Sequence, residues 1–226
     1  MTFLSLILQN SLVAESTGAM KLSLLDLAIK GGPIMLPILA LSILATYVFI
    51  ERYFAIRKAR KRDINFMNRI KDYIHDGKID AALGLCRSTD SPETRMIEKG
   101  ISRIGRPLTD VHLAIENVGQ LEIFKLEKGF ALLATSAGAA PMLGFLGTVT
   151  GMVRAFYDMA TAGNNIDITL LSNGIYQAMV TTVAGLLVGI VAYFAYNFLV
   201  TSVNEIVNTL EVTTTEFMDL LNEPVK

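Results

Sequence analysis

At 226 residues the chain has the length of one or two soluble domains, yet 52% of it is hydrophobic and only 18% charged. The apolar residues gather in long runs rather than at helix or strand period, which points to a multi-pass membrane protein. A net charge of −1 speaks against a nucleic acid as partner, and the single cysteine, Cys86, excludes an internal disulfide and a cysteine-based metal cluster. The two histidines, His75 and His112, lie far apart in soluble-looking segments and read as surface or core residues rather than ligands.

Residues 1–30 open with MTFLSLILQN, a run too short to span and preceded by no basic residue, so a signal peptide is not expected. The segment is expected to lie outside, along the membrane interface. Gly31, Gly32 and Pro33 punctuate the chain, and 31–56 forms the first transmembrane helix, with its apolar run from Pro33 to Phe54. Arg57, Lys58, Arg60, Lys61 and Arg62 follow it, whereas only Lys21 and Lys30 precede it. The positive-inside rule therefore puts the N-terminus outside and residue 57 onward in the cytoplasm.

Residues 57–130 are expected to form a cytoplasmic helical domain. Ile64, Met67, Ile70 and Ile74 recur at helical steps, with Gly77 as a stop. Ile79 to Arg87 forms a short helix, and Ser91-Pro92 signals the cap and first turn of another, with Met96, Ile97, Ile101 and Ile104 on its face. Pro107 opens a long helix carrying Val111, Ile115, Val118, Glu122 and Lys125. It is expected to run unbroken into the second span, with Gly119 and Gly129 as its weak points. The second transmembrane helix covers 131–159, a polar loop 160–174, and the third transmembrane helix 175–200. Arg154 and Asp158 are spaced to pair near the end of the second span. Residues 201–226 read as an amphipathic C-terminal helix whose acidity does not follow the positive-inside rule; its cytoplasmic side comes from counting three spans. The fold expected is an all-α membrane protein with three transmembrane helices and long cytoplasmic helical extensions.

Two of the spans carry stripes of small residues. In the second these are Ala137, Pro141, Gly144, Thr148, Gly151 and Ala155; in the third, Ala178, Thr182, Gly185, Gly189, Ala192 and Tyr196. Gly147-x-x-x-Gly151 and Gly185-x-x-x-Gly189 have the form by which helices approach closely in lipid, so Pro141, Gly144, Gly147, Gly151, Gly185 and Gly189 are candidates for helix packing. Thr148, Thr181, Thr182 and Gln177 are candidates for a polar path, since hydroxyls facing a bundle interior can order water. Any single Thr can instead bond back to its own helix. No Asp, Glu, Lys, Arg or His lies near the middle of any span. Such a group costs about 2.5–3.5 kcal/mol to insert, and it is retained where protons or ions must be carried. If protons cross here, a partner must supply the carboxylate. No nucleophile–base pair, metal set or phosphate loop suggests an enzyme or a cofactor.

The segments APMLGFLGTVTGMVRAF (140–156) and GIYQAMVTTVAGLLVGIVAYFAYN (174–197) resemble the ExbB/TolQ/MotA proton-channel subunits of bacterial inner-membrane motors, ExbB-like members above all. PILALSILATYVFIERYFAIRK and AALGLCRSTDSPETRMIEKGI also look like family segments. The resemblance implies a multi-pass subunit of the bacterial inner membrane with a periplasmic N-terminus and a cytoplasmic C-terminus. It implies a ring, usually a homopentamer, around two single-span helices of an ExbD/TolR-like partner that carries the missing aspartate. It also implies transmission through a TonB-like protein to outer-membrane transport, and by motif match it makes Thr148 and Thr182 the pore threonines. Many relatives have glutamate where this chain has Gln177, which cannot titrate and is left with hydrogen bonding or water ordering. A TolQ-like subunit of an envelope-maintenance system and a non-conducting helical scaffold remain as alternatives.

Overall fold

A computed structural model describes residues 31–60, 63, 65–161 and 168–222. The interfacial segment expected over 1–30 lies outside the described residues, as do Lys61, Arg62, Ile64, residues 162–167 of the loop and residues 223–226. The described chain is helical throughout, with no strand among the described residues. Its helices are α1 Met35–Ala59, α2 Phe66–His75, α3 Ile79–Ser88, α4 Pro92–Ile101, α5 Leu108–Glu127, α6 Phe130–Thr161 and α7 Ile168–Asn222. Three helical stretches are long and apolar enough to cross a membrane: α1, the stretch ending in α6, and α7. Their exposed side chains include Ile43, Phe145, Val153, Leu187 and Phe194, which suits a lipid environment. The protein is an all-α membrane protein with three spans and long helical extensions.

The chain divides into two compact units. One contains residues 31–38 with Leu143–Gly185; the other contains Leu39–Met142 with Leu186 onward.

In the larger unit α2 to α5 form a helical domain in which each helix packs on the next. Local signals explain the boundaries. Ser91 caps α4 in a capping box: its hydroxyl accepts from the Thr94 N–H at 3.2 Å while the Thr94 hydroxyl accepts from the Ser91 N–H at 3.2 Å. Gly77 and Gly105, with φ of 70° and 92°, turn the chain after α2 and α4. The core joins Phe66, Ile70, Cys86, Ile97 and Ile115 to Leu210 and Phe217 from the end of α7. Gly100 makes room for that docking, since a Cβ there would lie 2.6 Å from Phe217 Cε1 and 2.7 Å from Ile115 Cδ1. The buried Glu93 accepts a hydrogen bond from the Thr213 hydroxyl at 3.0 Å, and Arg60 pairs with Glu205 at 2.8 Å.

The single helix expected from Pro107 through the second span is corrected: α5 ends at Glu127 and α6 begins at Phe130. Gly129 has φ of 88°, a left-handed conformation in which a right-handed helix cannot continue. Gly119, the other weak point, stays inside α5. It is a notch for Met96, whose Cε would lie 2.9 Å from a Cβ placed there. The elbow is held from α1. A Cβ on Gly129 would lie 3.0 Å from Val48 Cγ1, and one turn further along α1 the buried Arg52 donates from Nη1 to the Lys125 carbonyl at 3.0 Å. That carbonyl belongs to the last turn of α5, where no helical N–H remains to satisfy it. Ion pairs continue from the elbow through α5 and α4. The buried Glu122 accepts from Lys125 at 2.6 Å and Arg95 at 2.5 Å, Arg95 also pairs with Asp90, and Asp90 pairs with Lys58 of α1 at 3.0 Å. Lys58 and Arg95 together hold the Asp90 carboxyl below its ordinary range.

Candidate functional site

In the smaller unit, small residues on α6 and α7 let the two backbones meet. A Cβ on Gly144 would lie 2.9 Å from the Thr181 carbonyl oxygen and 3.2 Å from the Cα atoms of both Thr182 and Gly185. One on Gly147 would overlap the Thr181 hydroxyl, and one on Gly151 would lie 2.9 Å from Ala178 Cβ. In the larger unit the same pattern continues, with Pro141 Cγ 2.5 Å and the Ala137 carbonyl 3.0 Å from a Cβ on Gly189. At none of these positions is there space for a larger side chain without separating the helices. Gly174 and Ala155 extend the seam by the same close approach, 2.5 Å from a would-be Cβ of the glycine. Continuing the stripe of the third span one turn back from Ala178 would have found Gly174.

Within this seam the hydroxyls of Thr148 and Thr182 meet in a mutual hydrogen bond. The Thr182 hydroxyl also donates to the Gly144 carbonyl at 3.1 Å, and that of Thr148 lies 3.2 Å from the Ala178 carbonyl. Thr181, fully buried, donates to the Ala178 carbonyl at 2.7 Å. Each hydroxyl has one proton and two lone pairs. With both protons directed at carbonyls or at each other, the Thr148–Thr182 pair has acceptor capacity left and no donor. It suits a neighbour that brings a proton, such as water or a protonated carboxylic acid. Both residues are half-buried, so the pair remains reachable, whereas Thr181 does not.

Gln177 is placed elsewhere. No hydrogen bond joins it to the three threonines among the described residues. Its amide nitrogen lies against Gly32, where any Cβ would overlap it. Gly32 has φ of 72°, and its carbonyl accepts from the Met35 N–H at 3.1 Å in the turn that leads into α1. A cavity of about 250 Å3 adjoins this contact, lined by Gly31, Pro33, Ile34, Thr150, Arg154 and Gln177 among others. The pairing of Arg154 with Asp158 for which their spacing allows is absent among the described ion pairs. Thr135, Ser136 and Thr150 bond back to carbonyls of their own helix. Among the described residues no group of three or more His, Cys, Asp or Glu could hold a metal ion.

Two tightly seamed apolar helices with a threonine pair set between them, joined to a long helical extension, define a class of polytopic membrane subunit. The chain belongs to the MotA/TolQ/ExbB proton channel family, whose profile matches residues 88–212. It is 31% identical over 164 residues to the biopolymer transport protein ExbB-like 3 of Synechocystis sp., covering 71% of this chain and 77% of that protein. It is 33% identical over 195 residues to ExbB-like 1 of the same organism, covering 78% of this chain and 70% of that protein. The Tol-Pal system protein TolQ of Pseudomonas aeruginosa is 28% identical over 175 residues, covering 73% of this chain and 75% of that protein.

Proposed function

We propose that this chain is an ExbB-like proton-channel subunit of a bacterial inner-membrane motor that energises TonB-dependent outer-membrane transport. The observation that carries this reading is the Thr148–Thr182 hydroxyl pair, an acceptor set in two spans that hold no titratable group at mid-depth. The pair can receive a proton-bearing acid but cannot replace one. In this proposal an ExbD/TolR-like single-span helix supplies the carboxylic acid. In its protonated, neutral form that acid crosses the apolar stretch and donates to the hydroxyl pair; ionised, it is held where water reaches it. Gly144, Gly147, Gly151, Gly185 and Gly189, with Pro141, keep the seam closed, so that the threonine pair holds its position. Copies of the chain, five in the family's usual form, surround the partner, with the N-terminus periplasmic, residues 57–130 and 201–226 cytoplasmic, and the connection between α6 and α7 periplasmic; the loop expected over 160–174 is shorter, since α6 runs to Thr161 and α7 starts at Ile168.

The experiment that tests the proposal is mild-detergent purification of this chain from its native membranes, with intact-mass identification of what accompanies it. A small single-span protein with one intramembrane aspartate is the expected companion. A ring of this chain alone would leave the path with no titratable group and would return the protein to the scaffold class.

A TolQ-like role in envelope maintenance is the second reading, favoured by the similarity to the Tol-Pal protein. Deletion separates the two: loss of transport of large scarce nutrients marks the TonB branch, and envelope leakage marks the Tol branch.

A further inference from the structure

The cavity beside the turn into α1 has polar walls that the proton path does not use. Thr150 directs its hydroxyl to the Leu146 and Gly147 carbonyls at 2.9 and 3.2 Å. Arg154 and Gln177, by contrast, make no hydrogen bond or ion pair with any described residue, although both line the cavity. A guanidinium with five N–H donors and an amide with two therefore line one cavity with no hydrogen-bond partner among the described residues, the amide nitrogen resting against Gly32. The planar fork of arginine matches an oxyanion, phosphate above all. Its surroundings indicate the source of that oxyanion. Val153, Phe156 and Tyr157, around Arg154 on α6, are 64%, 52% and 67% exposed, an apolar surface ending in a tyrosine as at a membrane interface. Arginine near the end of a span reaches for the headgroup layer. The half-buried Asp158, one turn on from Arg154, disfavours a doubly charged free ion more than a singly charged phosphodiester.

We infer that Arg154 and Gln177, with the Gly31–Pro33 turn, form a seat for the phosphate of a membrane phospholipid. The headgroup then fills the junction between α6, α7 and the start of α1, and its acyl chains lie along the exposed face of α6. The inference requires only that these helices span a bilayer and stands apart from proton conduction.

The test is native mass spectrometry of the full chain, with whatever partner copurifies, after delipidation. Dioleoyl phosphatidylethanolamine, dioleoylglycerol and inorganic phosphate are titrated separately. Phosphatidylethanolamine is expected to bind and dioleoylglycerol not to. Arg154→Gln is expected to weaken phospholipid binding about tenfold, the size of one lost hydrogen bond to a charged group. Gln177→Glu, which adds a carboxylate to the wall of the same cavity, is expected to weaken it similarly, and Arg154→Lys to retain most of it. Helicity and oligomer mass, read in the same samples, separate loss of the seat from loss of fold. Should Arg154→Gln not fold, the contrast of Arg154→Lys with Gln177→Glu decides the matter. Equal binding of dioleoylglycerol, or phospholipid binding unchanged in the folded variants, overturns the inference. Saturation by inorganic phosphate that excludes the lipid assigns a water-borne anion and overturns it too.

Discussion

At the scale of single residues the decisive group is a hydroxyl. Thr182→Val keeps the shape of the side chain, the helix seam and the methyl contacts. It removes the oxygen that joins Thr148 to the Gly144 carbonyl. Proton flux in reconstituted vesicles is expected to fall at least about tenfold, in line with removal of a positioned proton-transfer group, while the purified complex keeps its mass. Full flux in that variant would end the pore assignment. Cys86 offers a second residue-scale test. Burial, with a smaller effect from the negative Glu98, pushes its thiol up to about 12, so almost no thiolate exists at neutral pH. Maleimide labelling is expected to be negligible in the folded protein and complete in denaturant. The threonines were legible from sequence because helical spacing alone brings i and i+4 positions onto one face. The place of Gln177 was not legible, since it depends on the left-handed turn at Gly32, and no side-chain pattern reveals the sign of a glycine φ.

At the scale of elements, apolar runs identified the three spanning stretches, and the Ser91-Pro92 pair identified the start of α4. Both are local signals. Ser91→Ala is expected to cost about 1 kcal/mol of thermal stability, measured by calorimetry of the purified protein, with helix content nearly unchanged. The break between α5 and α6 escaped the sequence because helical periodicity continues across it, and the Lys128–Gly129 elbow comes from contacts with Val48 and Arg52 of α1. Gly129→Ala is expected to cost about 1–2 kcal/mol because an L side chain resists this φ, with Val48 crowding adding to it. A variant as stable as the parent would mean that the helix runs straight through.

At the scale of the molecule, the fold rests on close backbone approach at the α6–α7 seam and on docking of the end of α7 into the helical domain. Gly147→Leu forces a side chain into the hydroxyl, Cβ and methyl of the fully buried Thr181. The variant is expected to lose the assembled species on size-exclusion chromatography, which distinguishes it from Thr182→Val. Phe217→Ala empties a fully buried site against Gly100 and Ile115 and is expected to cost about 3–5 kcal/mol by chemical denaturation.

The Arg52 contact has a mechanical consequence. Within the larger unit, α7 continues without interruption to Asn222, whereas the route through α6 reaches α5 only across the Lys128–Gly129 elbow. The first is one unbroken rod, and the second is two rods joined at an elbow that Arg52 on the Lys125 carbonyl and Val48 against Gly129 hold in place. Loss of the Arg52 tether would leave both helices formed and loosen the angle at which α6 meets α5.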